Sequence, residues 1–225
     1  SASNSNSKYF RSNWTNTLTF DTQINNNHNL KVLIGHEEIY RKVEGWGAVR
    51  SGLSDPFYSS YQGGFTNIVP AANVQAENGL LSFFSTVNYD FKKKYLFSFN
   101  FRRDGLSALA AGNKWGNFGG GSLGWNISEE AFFQNSGLSS VVNNLKLRGS
   151  YGVVGNSSLD DYASLSQYNS GTYSGFPTLY FGQAGNSGLK WETSKKIDLG
   201  FSAGLLDNRF TVEASYYQNN IDGLI

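Results

Sequence analysis

The strict alternation of aromatic and polar side chains is the feature of this sequence that most constrains its fold. In FFSTVNYDFKKKYLFSFNFRRDG, residues 83–105, side chains two positions apart share their character on either side of three lysines. Successive side chains of a β-strand point to opposite faces, so this period predicts two strands joined by a tight, charged turn. One face of the predicted pair is strongly aromatic and carries Phe83, Val87, Tyr89, Phe91, Tyr95, Phe97, Phe99 and Phe101.

The same period recurs along the chain and predicts about eight antiparallel strands, most of them about 10 to 14 residues long. Four further alternating runs contain Trp14, Leu30, Leu123 and Leu145, one in each run. Residues 191–217 have the pattern of a hairpin. Strands of soluble proteins usually have five or six residues, whereas a tilted strand needs about 9 to 11 to cross a bilayer. The predicted class is therefore all-β, an antiparallel transmembrane β-barrel, and a soluble β-sandwich stays open as the alternative.

The predicted connections alternate between short and long. The short ones cover 25–28, 92–94 and 207–208, and the long ones cover 45–80, 105–116 and 156–189. Outer-membrane barrels have short periplasmic turns and long extracellular loops in the same alternation. The connection after the fifth strand, SEEAFFQNSGLSSVVNN, is longer than this rule requires. Ser128 followed by two glutamates predicts an N-cap and a short helix there.

Many of the large aromatic residues fall near the ends of predicted strands. They are Trp14, Trp46, Tyr95, Trp115, Tyr151, Tyr162, Trp191 and Tyr216. Membrane barrels place aromatic girdles at these levels, because an amphipathic ring favours the headgroup region. Ordinary packing in a core explains any single one of them equally well.

Composition removes several classes of function. Lys and Arg number 18 against 17 Asp and Glu, a net charge of +1, so no concentrated basic face for nucleic acid is expected. The chain has no Cys, which excludes disulfides and thiolate metal sites within it. No apolar run is long enough for a transmembrane helix. Charged residues make up only 16% of the chain, which suits a β structure with long polar loops.

No motif supports catalysis, and we expect no enzyme, cofactor or metal centre. Gly119, Gly121 and Gly124 fit the spacing of a dinucleotide-binding loop, but an alternating strand runs through them where a helix should begin. Asp160 and Asp161 could help to hold calcium in a loop, although a solvated pair is favoured.

Recognition by aromatic side chains in polar loops is the remaining function that the residues suggest. Such side chains stack on sugar rings or grip peptides, and they can equally pack loops together or contact a partner protein. The candidate ligand-binding residues are Trp46, Tyr58, Tyr61, Trp115, Tyr173 and Tyr180.

Four segments together resemble a known family. VNYDFKKKYLFSFNFRRDG, WGNFGGGSLGWNISEEAFF, LKLRGSYGVVGN and LKWETSKKIDLGFSAGLLDNRFTVEASYYQNNIDGLI are similar to the late barrel of SusC/RagA transporters, the TonB-dependent outer-membrane importers of Bacteroidetes. The resemblance covers 81–225 well and 1–80 loosely. It implies a barrel of 22 strands with an N-terminal plug and a TonB box. Residues 1–225 would then be a fragment of the C-terminal half, without the plug and the final strands.

The resemblance also implies partners. It implies a SusD-like surface lipoprotein, TonB acting through an N-terminal region outside this sequence, outer-membrane lipid, and an oligosaccharide or peptide as cargo. A dimer of transporter–lipoprotein pairs is compatible with it. Two other functions stay open, a passive or structural eight-stranded outer-membrane barrel and a soluble carbohydrate-binding β-domain. The first would fold alone in detergent, and the second would fold in plain buffer.

Overall fold

One large antiparallel sheet forms the frame of the molecule in the computed structural model, which describes residues 1–55, 57 and 64–223. The strands are β1 (Ala2–Ile24), β2 (His28–Leu53), β3 (Phe65–Phe91), β4 (Tyr95–Leu106), β5 (Trp115–Asn126), β6 (Val142–Asn156), β7 (Gln167–Tyr173), β8 (Phe176–Gln183), β9 (Glu192–Leu205) and β10 (Phe210–Asp222). Eight of them pair in the order β1-β2-β3-β4-β5-β6-β9-β10, while β7 and β8 form a separate hairpin. Among the described residues the sheet stays open at β1 and β10. The predicted eight-stranded antiparallel sheet is confirmed, and the hairpin inside the last long loop was missed.

The register brings the apolar residues of neighbouring strands to one face of the sheet, which we call the outer face. Phe99 of β4, for example, lies opposite Val87 of β3 and Gly121 of β5. Large side chains stay exposed on this face, among them Leu18, Phe20, Ile34, Phe83, Phe97, Phe99, Leu123, Leu147, Leu199 and Tyr216. In the described part of the chain no second layer covers them, so the soluble β-sandwich is wrong for this chain, since a sandwich buries its apolar face.

The opposite face, which we call the inner face, carries smaller and more polar side chains and supports the long loops. The loops after β4 and before β9 fold against it and form a small buried core. This core contains Leu106, Ala108, Leu109, Ala110, Phe118, Leu189 and Trp191. The ring of Trp191 meets that of Phe118 edge-on at 5.0 Å, and its Nε1 donates to the carbonyl of Lys114 at 3.0 Å. The girdle position predicted for Trp191 is therefore wrong, because the loop folds back and buries it.

Strands β2 and β3 are 26 and 27 residues long, far beyond the predicted limits. The long connection predicted at 45–80 shrinks to 54–64, and a bulge at Gly45/Gly47 interrupts the pairing. The extension of β3 could not be predicted from the sequence, because it contains Pro70. Proline cannot donate a backbone hydrogen bond to a neighbouring strand, so it argues against a strand at this position. Pairing with β4 starts only at Leu80, so Pro70 lies on an edge of the sheet where no donor is needed.

The connection between β5 and β6 is helical, as predicted. It contains a 3-10 turn (Ile127–Glu129), a single α-turn that we call α1 (Ala131–Gln134) and a second 3-10 turn (Gly137–Ser140). The N-cap prediction at Ser128 is wrong, because Glu130 occupies the N-cap position of α1, and the Glu130 side chain caps no backbone N–H. Its carboxylate instead accepts hydrogen bonds from Lys94 Nζ and Trp125 Nε1, both at 3.2 Å. None of the described helices is long and apolar enough to cross a membrane.

Candidate functional site: the two faces of a barrel wall

Two rows of aromatic rings border the apolar part of the outer face. Near the short turns, Phe91, Tyr95, Trp125 and Phe132 follow one another with ring centroids 6.3, 6.5 and 6.4 Å apart. Towards the long loops, His36, Phe83 and Trp115 follow at 5.1 and 6.5 Å, and the guanidinium of Arg103 lies 5.2 Å above the Trp115 ring. We call these the lower row and the upper row.

The spacing of the rows is comparable with the height of the apolar band of a membrane barrel. From Tyr95 to Arg103 a strand advances about 26 Å at about 3.3 Å per residue, which becomes about 20 Å for a strand tilted by about 40°. The apolar band of membrane barrels is about 25 Å tall and is flanked by aromatic girdles. The exposed apolar belt between the rows is therefore about 5 Å shorter than this band, and the rings of the two rows add to it at each edge.

The outer face carries an ion-paired cluster beyond the upper row, six residues and more from His36 along β2. Lys42 Nζ lies 2.6 Å from Glu44 Oε1 and 3.6 Å from Glu77 Oε1. A hydrogen bond with Glu44, together with its charge, raises the pKa of Lys42, and the same contact lowers the pKa of Glu44. Such groups stay ionised in water and are costly in hydrocarbon, so this part of β2 and β3 lies above the belt.

A network of charges ties three strands together on the inner face. The Arg102 guanidinium donates to Glu37 at 3.0 Å, to Asp104 at 2.6 Å and to the hydroxyl of Ser82 at 2.7 Å. Ser82 is fully buried, and Asp104 is 8% exposed. Arg102 also lies over the Phe84 ring, 5.5 Å from its centroid. Arg102 thus satisfies partners on β2, β3 and β4 at once.

A second network fixes the loop that follows β6. The Asp161 carboxylate accepts hydrogen bonds from Arg41 and, at 3.0 Å, from Asn78 Nδ2. The hydroxyl of Ser107 donates to Asn78 Oδ1 at 3.2 Å and accepts from the backbone N–H of Gly79 at 2.9 Å. Both long loops are therefore held against the inner face. Asp161 is neither a solvated loop residue nor part of a cluster suited to a metal, of which the described residues form none.

Beside these networks the inner face has a cavity of about 320 Å³. Its walls are mixed, with Asn100, Arg102 and Asp104 on one side and Phe118, Val154 and Trp191 on the other. Ligand sites commonly combine an apolar lining with a few polar groups that fix orientation. This arrangement can bind a molecule that has both polar and apolar parts.

The residues predicted to touch a ligand lie on separate elements. Tyr58 and Tyr61 fall outside the described residues. Trp46 was placed in a loop, but it belongs to β2, faces Asn6 of β1 on the outer face and is 67% exposed. Trp115 is the first residue of β5 and belongs to the upper row on the outer face.

The other two predicted residues come together on the β7–β8 hairpin. Tyr173 pairs with Phe176, and Tyr180 pairs with Asn169 four residues along the ladder, so both tyrosines share one face of the hairpin. Tyr173 is 79% exposed and Tyr180 is 55% exposed. This hairpin is the only place where the structure assembles two of the predicted residues within its described part.

Sequence reasoning missed the inner-face networks. The signal was weak but present, because Arg102 occupies a position where the alternation otherwise puts Ser98 and Asn100. Its partner Glu37 lies 65 residues away along the chain, and Asp161 lies 120 residues from Arg41. No local pattern could have joined residues so distant.

Comparison with known proteins agrees with this geometry. The family model described as "TonB dependent receptor-like, beta-barrel" matches residues 1–225. TonB-dependent receptor P3 of Formosa agariphila is 34% identical over 95% of this chain and 22% of its own length. TonB-dependent receptor SusC of Bacteroides thetaiotaomicron is 35% identical over 66% of this chain and 15% of its own length.

Solved structures give the same answer. A chain of the RagAB peptide transporter superposes with a TM-score of 0.85 and 28% identity, over 98% of this chain and 24% of that one. A chain of the RagAB peptide importer in its open-open state superposes with a TM-score of 0.83 and 29% identity. The chain thus spans less than a quarter of the length of each of these relatives. The chain belongs to the TonB-dependent receptor-like β-barrel family.

Proposed function

We propose that this chain is part of the wall of an outer-membrane importer that takes up oligosaccharides or peptides. Uptake is driven through TonB, which acts on a plug in the longer protein, and a SusD-like surface lipoprotein delivers the cargo. Residues 1–225 supply about eight strands of the wall in the C-terminal half of that protein. The chain holds no catalytic role in this scheme.

The difference between the two faces is the observation that carries the proposal. The outer face is bare and apolar between the two aromatic rows, whereas the inner face is polar, ion-paired and covered by structured loops. A narrow barrel of eight strands fills its interior with its own side chains. Here the inner face of β5 carries Gly120, Ser122 and Gly124 in succession, so this part of the strand sends no large side chain into the interior. An inner face of this kind suits a wide lumen that another domain occupies.

Peptides and oligosaccharides are bound through the same kinds of polar and apolar contact. The cavity beside Arg102 offers donors and acceptors next to Phe118 and Trp191, which suits a peptide backbone or a sugar ring. The RagAB neighbours are a peptide transporter and a peptide importer, which supports peptides as the class of cargo for this chain. Tyr173 and Tyr180 remain proposed contacts for cargo or for the lipoprotein, as do Tyr58 and Tyr61. Trp46 and Trp115 are proposed with less support, because they lie on the outer face.

Uptake by the native host tests the proposal. Deletion of the gene should abolish uptake of either labelled oligopeptides or labelled oligosaccharides, and the full-length gene should restore it. Restoration should fail when the proton-motive force is dissipated. Uptake that persists without this energy source would indicate a passive barrel instead.

The partner is tested separately by purification. The full-length protein, extracted from outer membranes in mild detergent, should bring a surface lipoprotein with it in stoichiometric amount. Purification of a lone barrel that still imports cargo would contradict the lipoprotein partner, but it would not contradict the proposed import function.

A further inference from the structure

The turn between β3 and β4 combines backbone strain with an unusual choice of residues. Lys92 and Lys93 adopt φ values of +53° and +57°, in the left-handed region that side chains with a Cβ disfavour. The turn between β1 and β2 has nearly the same conformation but uses Asn25 and Asn26, with φ of +52° and +54°. Asparagine tolerates this region because its short side chain bonds locally, and lysine has no such advantage. Strain of this kind tends to mark functional positions.

The strained turn is held firmly in place. Lys92 N–H donates to the carbonyl of Asn27 at 2.6 Å, and Lys93 N–H donates to the Asp90 carboxylate at 3.1 Å. The N–H of Asn126 donates to the carbonyl of Lys94 at 2.8 Å. These bonds fix the backbone of the turn, from which two adjacent lysine side chains extend.

The three lysines of the turn differ in whether their charge is paired. Lys94 is paired with Glu130 at 3.2 Å, whereas the described residues provide no ion pair for Lys92 or Lys93, which are both exposed. Asp90 is the acidic neighbour, and Asn29 occupies both of its oxygens at 3.0 Å. Lys92 Nζ lies 5.3 Å from the centroid of the Phe91 ring. Phe91 belongs to the lower row, so this ammonium lies at the lipid-facing edge.

An apolar groove lies on the same edge of the outer face. It has a volume of about 720 Å³ and is lined by Tyr95, Phe97, Leu123, Trp125, Leu147 and Leu199. Tyr95 and Trp125 are shared between the groove and the lower row, so the groove continues from the ring that Lys92 covers. A groove of this size accommodates a ligand the size of an acyl chain.

We propose that the Lys92–Lys93 turn and this groove form a binding site for an anionic phospholipid of the periplasmic leaflet. The two ammonium groups hold the phosphate, and an acyl chain lies along the groove. Charge complementarity and continuity with the apolar belt select this occupant, since the belt already faces lipid and the lysines lie at headgroup level. The inference rests on the proposed outer-membrane location of the barrel.

The test uses full-length protein in phosphatidylcholine nanodiscs with and without phosphatidylglycerol, and native mass spectrometry of the lipids that stay bound. Wild type should retain phosphatidylglycerol in preference to phosphatidylcholine. Lysines near an anionic surface contribute about fivefold each, so the pair should give a preference on the order of twentyfold. The double variant Lys92→Asn/Lys93→Asn should lose most of this preference. Its melting temperature in detergent should be equal or higher, because asparagine suits the turn.

The matched control is Lys8→Asn/Lys190→Asn, which removes two exposed lysines at the other end of the strands and should keep the preference. Equal preference in wild type and Lys92→Asn/Lys93→Asn would overturn the site, and so would equal losses in both double variants. Displacement of the lipid by glycerol phosphate would show a general anion site and overturn the lipid assignment. Failure of wild type to enter nanodiscs would instead count against the proposed location.

Discussion

At the scale of single residues, neighbours in sequence have opposite environments because a strand turns successive side chains to opposite faces. Arg102 is held by two carboxylates on the inner face, whereas Arg103 lies over Trp115 on the outer face. Asp161 is bound by Arg41 and Asn78, while Asp160 is exposed. Such pairs allow experiments in which charge and local sequence are matched and only the environment differs.

Replacement of Arg102 by Ala should destabilise the full-length protein, because Glu37 and the buried Asp104 lose their common counter-ion. Breaking a fully buried pair costs about 3 to 5 kcal/mol, and the Arg102 side chain is 37% exposed, so we expect about 1 to 3 kcal/mol. Unfolding by denaturant in detergent, or by heat, measures the change.

Arg103→Ala is the control for this experiment and should cost less than about 1 kcal/mol, since a partly exposed cation–π contact is all that it loses. Equal effects of the two substitutions would show that the inner-face network contributes nothing beyond a surface charge.

Replacement of Asp161 by Asn should loosen the loop 157–166 without affecting the sheet. The loss of a charged partner of Arg41 lowers the free energy of local opening by about 1 to 3 kcal/mol. Hydrogen exchange should therefore become roughly 5 to 150 times faster in this loop. Asp160→Asn should leave exchange unchanged, and an equal increase in that variant would contradict the anchoring role.

At the scale of elements, the strands, turns and connections have different sources of order. Strands β4, β5 and β9 follow their alternating pattern, while β1–β3 extend past it and are held by long backbone pairing, which one bulge interrupts between β2 and β3. The short turns rely on residues with positive φ. The connection after β5 is fixed by Glu130, which joins the turn at Lys94 to Trp125 of the lower row.

The Glu130 contact should make the stability depend on pH. Hydrogen bonds from Tyr95 and Trp125 lower the pKa of Glu130 below its usual 4.5. A lowered folded-state pKa gives stability that is fully present above about 4.5 and is lost as the pH falls through the lowered value. The difference in melting temperature between wild type and Glu130→Gln should therefore be constant from neutral pH to about pH 5 and should shrink in stronger acid. A difference that grows on acidification would contradict the assignment.

At the scale of the whole molecule, the exposed apolar belt is the property that distinguishes this wall from a soluble sheet. Water would make such a surface aggregate, so its stability depends on a lipid environment and on strands that complete the barrel at β1 and β10. The inner face then lines a lumen, and ion pairs fix both its strands and its long loops. In the proposed importer, the two faces separate contact with lipid from contact with cargo.

An arginine placed in the belt should test this organisation. Phe20 is 59% exposed on the outer face, and Phe20→Arg should cost about 2 to 4 kcal/mol in lipid, because a charge near the middle of the bilayer loses its hydration. Thr19→Arg on the inner face should cost less than about 1 kcal/mol, since a lumen solvates the charge. Reversible unfolding in lipid vesicles measures both free-energy changes. A Phe20→Arg variant as stable as the wild type would show that the belt does not face lipid.

The sequence alone determined which side chains share a face, the antiparallel sheet, the short turns, the helical connection and the family resemblance. These follow from a period of two and from local turn chemistry, which act between residues close in the chain. The tertiary structure alone decided the length of β2 and β3, the burial of Trp191 and the pairing of Arg102 with Glu37 and of Arg41 with Asp161. These depend on contacts between residues far apart in the chain, where loop folding and strand register bring groups together and no local pattern records the partner.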